Sequence, residues 1–183
     1  GGGGGDHATL LRCYSQWASS EYSTQWCFEN FVQVKSMRKA RDVRDQLVGL
    51  CERVEIDPEA TIGDGEVNGG GGEECLEPVL KSVAAGFFYN VAKLGKTGDY
   101  QTVKMRHSVH IHPSSVLHAK NEDEAVPHEW LCYFELAFTT REFMRQVCPV
   151  KGEWLLELAP HYYNEKDIES EAKKTKKGIV RVK

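Results

Sequence analysis

The hydrophobic period changes once along this chain, and that change limits the folds open to it. Before about residue 98 apolar residues recur every three to four positions; from Tyr100 onward they recur every second position. The first period belongs to helices with one buried face, the second to half-buried strands. Helices first and strands afterwards mean an α+β chain or two subdomains. With 183 residues, 40% of them hydrophobic, the chain can fill one compact domain or two small ones.

In the first half, Asp6 is placed to cap a helix carrying Leu10, Leu11, Tyr14 and Trp17. Ser23 caps a second with Trp26, Cys27 and Phe31, and Ser36 a third, longer one. There Met37, Ala40, Val43, Leu47, Leu50 and Val54 form a stripe expected to be buried. Residues 57–75 break the pattern with Pro58, Gly63, Gly65 and four consecutive glycines at 69–72, and their charges are nearly all acidic. A flexible surface insertion is expected there. Leu76, Val79, Leu80, Val83, Phe87 and Val91 then resume helical spacing, with Gly95 and Gly98 ending that helix.

Strands are expected at 100–104, 107–112, 130–139 and 143–150, a charged loop at 121–127, and a short helix at 154–159 stopped by Pro160. The expected fold is thus an N-terminal helical bundle followed by a small antiparallel β-barrel of the OB type with a C-terminal helix. Such barrels often bind single-stranded nucleic acid.

A net charge of -4 and a pI near 6.0 exclude a uniformly basic nucleic-acid binder, but not a local basic face. No apolar run approaches the roughly 20 residues of a membrane span, and no charged-then-apolar leader is seen. The chain opens on five glycines rather than Met, as expected of a fragment or a mature chain carrying a linker scar. Cys13, Cys27, Cys51, Cys75, Cys132 and Cys148 are irregularly spaced, with no CxxC. Buried thiols in a reducing compartment are the favoured reading; their even number leaves a disulfide framework as the alternative.

Few residues carry chemistry by type alone. Gly95-Lys96-Thr97 resembles the end of a phosphate loop, but Asn90 stands where its first glycine belongs, and a helix rather than a strand is expected before it. His110 and His112 share one strand face and could seat a metal only with a third ligand, for which Glu129, His128 and His161 are candidates by type. Two half-exposed strand histidines are the plainer reading. Arg38, Arg41 and Arg44 stand three apart on the third helix, where guanidinium forks suit phosphate oxygens; Asp42 and Asp45 between them suit a salt-bridged solvent face equally. Thr139, Thr140 and Arg141 at a barrel turn offer hydroxyls and a guanidinium, or ordinary turn chemistry.

Taken in order, these segments resemble the C-terminal region of DEAH-box RNA helicases. The resemblance runs through Gly5-Asp6-His7, Gln25-Trp26-Cys27, Arg41-Asp42-Val43-Arg44, Gly86-Phe87-Phe88, Ile111-His112-Pro113-Ser114-Ser115, Thr139-Thr140-Arg141-Glu142-Phe143 and Pro160-His161-Tyr162-Tyr163. It covers about 5–163, interrupted by the acidic insertion, and the spliceosomal members are the most similar. It implies a partial helical ratchet domain over 1–98, an OB-like domain over 99–165 and a basic, disordered tail over 166–183. It also implies contact with single-stranded pre-mRNA through Arg38, Arg41, Arg44, His112, Ser114, Ser115, Thr139, Thr140 and Arg141. The helicase's own RecA-like domains, a G-patch activator and spliceosome proteins would be partners, in the nucleus. No catalytic residue is implied here: ATP and magnesium belong to the motor, whose motifs this chain lacks. A protein-docking domain without RNA contact is the alternative.

Overall fold

The computed structural model describes residues 3–57, 76–119 and 127–168. The insertion at 58–75, the loop at 121–126 and the tail at 169–183 lie outside the described residues. The chain divides into two compact units, one of Gly1–Thr9 with Glu73–Lys183, the other Leu10–Gly72. The division falls inside the first helix.

The Leu10–Gly72 unit contains most of α1 (Gly5–Ser19), together with α2 (Thr24–Glu29) and α3 (Val34–Arg53). Trp17, Cys27 and Met37 form its buried cluster, with Tyr14, Trp26 and Val32 packed around them. The Trp17 indole N–H donates to the Ser23 carbonyl at 3.1 Å, so burial leaves no orphaned donor. Ser23 caps α2 as expected, accepting from the Trp26 N–H. The other two expected caps differ. Asp6 lies within α1, and α3 starts earlier than expected: Gln33 is its cap, and Ser36 turns back to bond that side chain.

The apolar stripe of α3 is the larger correction. Met37 is buried, but Val43, Leu47, Leu50 and Val54 are all exposed. At 100° per residue Met37, Arg41, Arg44 and Val48 share one face, and the four exposed residues share another about 120° away. The face turned to Trp17 is the one carrying arginines.

The second unit is a closed barrel of five strands in the order β1-β2-β3-β5-β4. They are β1 (Val91–Leu94), β2 (Tyr100–Thr102), β3 (Ser108–Ile111), β4 (Trp130–Phe138) and β5 (Glu142–Val150). The expected OB-like barrel is present. β1 was unforeseen, because Val91 continues the helical spacing of α4 (Glu77–Gly86). That helix ends at Gly86, and Val91 and Ala92 pair with Cys132 and Leu131 instead. Gly95 and Gly98 shape the β1–β2 turn rather than a helix end. β3 and β5 run parallel, so the barrel is not wholly antiparallel; β3 and β5 are not consecutive, and a crossover closes the sheet.

Ala92, Val109, Leu131, Tyr133, Met144 and Val147 fill the barrel. One end is closed by α4 and α5 (Gly152–Leu158), where Leu80, Ala84, Trp130, Trp154 and Leu155 form a second core. Truncating a fully buried side chain such as Met144 to Ala costs about 2–5 kcal/mol. Residues 166–168, expected in the tail, belong to a last helical turn, α6 (Glu165–Ile168). Lys104 holds it, 2.7 Å from Asp167 and over the Tyr162 and Tyr163 rings. The five described cysteines are free thiols, three of them buried.

Candidate nucleic-acid interface

The β4–β5 hairpin projects its tip from the barrel. The two strands pair from Trp130 with Val150 to Phe138 with Glu142, and Thr139, Thr140 and Arg141 join them. The Thr139 N–H donates to the Arg141 carbonyl at 3.1 Å, which closes the turn. All three residues are exposed. Arg141 is exposed and makes no ion pair with any described residue.

His112 and Ser114 adjoin this hairpin through the β3–β5 pairing. The His112 N–H donates to the Met144 carbonyl at 3.0 Å, and the His112 ring meets Phe143 edge-on at 5.8 Å. The Ser114 N–H donates to His112 Nδ1 at 3.1 Å, and the Ser114 hydroxyl lies 2.7 Å from the same atom. A nitrogen that accepts a backbone N–H carries no proton, so the neutral ring holds its proton on Nε2. Ser115 is placed differently. It is buried, and its hydroxyl accepts the Leu117 N–H at 3.2 Å, which braces the loop.

The arginine row belongs to the other unit. A row of step three drifts by about 60° per step, so Arg38 and Arg44 lie about 120° apart around α3. Arg38 is exposed; Arg41 is half-buried with its guanidinium 5.1 Å from the Tyr22 ring centre. Arg44 is 3.9 Å from Asp45, both exposed, an ion pair of little energy. Among the described residues Asp42 makes no ion pair with the row, and the salt-bridged face comes down to this one contact.

The supporting roles of three residues escaped the sequence reading. Tyr22 orients Arg41 from a left-handed turn (φ 60°) with no motif to mark it. Phe143 buttresses both His112 and His110. Asp6 accepts from the Val116 N–H at 2.8 Å and the Val147 N–H at 2.7 Å, tying the 112–117 loop to β5. Those donors lie over a hundred positions away, so only the fold reveals them.

Among the described residues no three His, Cys, Asp or Glu side chains converge to hold a metal. His110 packs on Phe143, and Glu129 and His161 engage Lys93 and Phe88. Gly95-Lys96-Thr97 sits in a β-turn, closed by the Gly98 N–H on the Gly95 carbonyl at 3.2 Å, with the Gly95 N–H donating to the Asp99 carbonyl across the loop. No helix begins there to aim amide groups at a phosphate.

A closed five-stranded barrel with this strand order, capped by a helix and carrying exposed polar turns, defines an oligonucleotide-binding type of fold. Residues 79–162 match the family described as the oligonucleotide/oligosaccharide-binding (OB)-fold. Over 161 residues, 88% of its length, the chain is 36% identical to the probable ATP-dependent RNA helicase DHX35 of Pongo abelii. It spans about a fifth of that relative, 20% of its length. The chain therefore carries the helicase-associated OB-fold domain of the DEAH-box RNA helicase family.

Proposed function

We propose that this chain is the RNA-gripping C-terminal part of an ATP-dependent RNA helicase that remodels pre-mRNA splicing complexes in the nucleus. ATP and magnesium act in the helicase motor, and the barrel holds the single strand while the motor pulls. The observation that carries this is the hairpin tip: two hydroxyls and an unpaired guanidinium exposed together on an OB barrel, with His112 and Ser114 exposed or half-buried on the loop after β3, which pairs with β5. These groups suit phosphate oxygens and read no base edge, so binding is sequence-tolerant and falls with salt. Arg38, Arg41 and Arg44 are taken as phosphate contacts of the Leu10–Gly72 unit by itself. Ser115, spent on its own loop, supports His112 and Ser114 rather than touching RNA.

The test is fluorescence anisotropy of a labelled oligo-U across a salt series. Affinity falls steeply with salt, and Arg141→Ala lowers the log–log slope by about 0.7, one single-strand phosphate contact. Affinity indifferent to salt, or a slope unchanged in Arg141→Ala, counts against the reading.

A second reading has its own support. Val43, Leu47, Leu50 and Val54 present an exposed apolar face on α3, the kind of surface a protein covers. Here the chain docks a G-patch activator or a spliceosome protein and leaves RNA to the motor. A nuclease-resistant pulldown together with undetectable oligo-U binding favours it.

A further inference from the structure

We propose that Phe138 is a stacking platform for an unpaired RNA base, set beside the Thr139–Arg141 turn that holds the adjoining phosphate. This rests on the RNA-binding reading and adds a base contact to it.

Phe138 is 77% exposed, yet it is the last residue of β4 and pairs across the hairpin with Glu142. A large apolar ring left in water at the end of a regular strand contributes nothing to the barrel. Its backbone is held by a long two-stranded ladder, so little freedom is lost when a flat partner lands on it. The neighbouring charges divide the labour. Glu142 lies across the ladder from Phe138, and its carboxylate repels a phosphate there; Arg141, one residue away, attracts one. A nucleotide at this tip is therefore oriented with its phosphate toward Arg141 and its base toward Phe138. An aromatic face accepts any base, which fits a chain that tracks RNA without reading it. The exposed apolar residues of α3 are aliphatic and lack such a face.

The experiment uses the full chain with two labelled ligands of equal length, oligo-U and an abasic ribose-phosphate strand. Phe138→Ala weakens oligo-U binding about tenfold, the scale of one lost base stack, and leaves abasic binding and the salt slope unchanged. Phe138→Trp keeps wild-type affinity, whereas Phe138→Leu, which preserves apolar bulk, behaves like Ala. Thermal melts of the three variants match the wild type, since the ring is exposed. Equal oligo-U affinity in wild type and Phe138→Ala overturns the proposal, as does Leu performing like Phe. Loss of a protein partner in Phe138→Ala with oligo-U affinity intact also overturns it, in favour of protein docking. A wild-type chain that binds neither ligand at low salt overturns the RNA-binding reading itself, a failure visible before any variant is compared.

Discussion

At the scale of single residues, the first turn of α1 shows how a short motif is used. Gly5 has φ +66°, and a Cβ there would overlap the Val147 carbonyl and press on the Cys148 backbone. Asp6 follows and fills both carboxylate oxygens with backbone donors from β5 and the 112–117 loop. Asp6→Ala leaves two N–H groups without partners and is expected to cost about 3 kcal/mol, read as a lowered midpoint in urea unfolding. His7, next in line, is held below its usual pKa of 6.5 by burial, partly offset by the Asp6 charge. The unfolded chain therefore takes up the proton more readily. Stability from this group is present above pH 6.5 and is lost as pH falls through the folded value. His7→Gln should flatten that part of the stability profile, measured by melting temperature between pH 7 and 5. Burial first, and then the neighbouring Cys132, Glu142 and Tyr162, push the Tyr133 phenol up to about 12, and the Cys132 hydrogen bond followed by burial raises the Cys148 thiol. Neither group is poised to exchange a proton at neutral pH.

At the scale of elements, the helices end in a way their sequence does not announce. α1, α2 and α3 each stop on a left-handed residue that is not glycine: Glu21, Phe31 and Glu55. In each case the next N–H reaches back five residues, Tyr22 to Trp17, Val32 to Cys27 and Ile56 to Cys51. A side chain in that conformation costs about 1 kcal/mol or more relative to glycine. Glu55→Gly is expected to stabilise the chain by roughly 0.5–1 kcal/mol, visible as a small rise in melting temperature. α3 carries the other element-scale expectation. Its four apolar residues are exposed and absent from the buried cluster of their unit, so Leu47→Gln with Leu50→Gln changes stability by less than about 0.5 kcal/mol per site. The same pair should reduce self-association in sedimentation, because it removes the exposed patch.

At the scale of the whole molecule, the two units differ in what holds them. The barrel unit has two core clusters, while among the described residues the Leu10–Gly72 unit has one, of Trp17, Cys27 and Met37. Amide hydrogen exchange should therefore be faster in α2 and α3 than in β4 and β5; equal protection would contradict this account of the cores. The order of helices and strands, the barrel, its long β4 and β5 and the polar turn at 139–141 were legible from periodicity, because alternation and helical spacing are local properties. The family resemblance was legible for the same reason, as short motifs in a shared order. Tertiary structure decided the rest. Val91 fits a helix and a strand equally, and only Cys132 across the sheet assigns it to β1. The α3 stripe looked buried because amphipathicity says that a face is apolar, not that anything covers it. Asp6 looked like a cap because its true donors are brought to it by the closing of the barrel. Periodicity is written in neighbouring residues; partners, burial and the aim of a side chain are settled by residues far away in the chain.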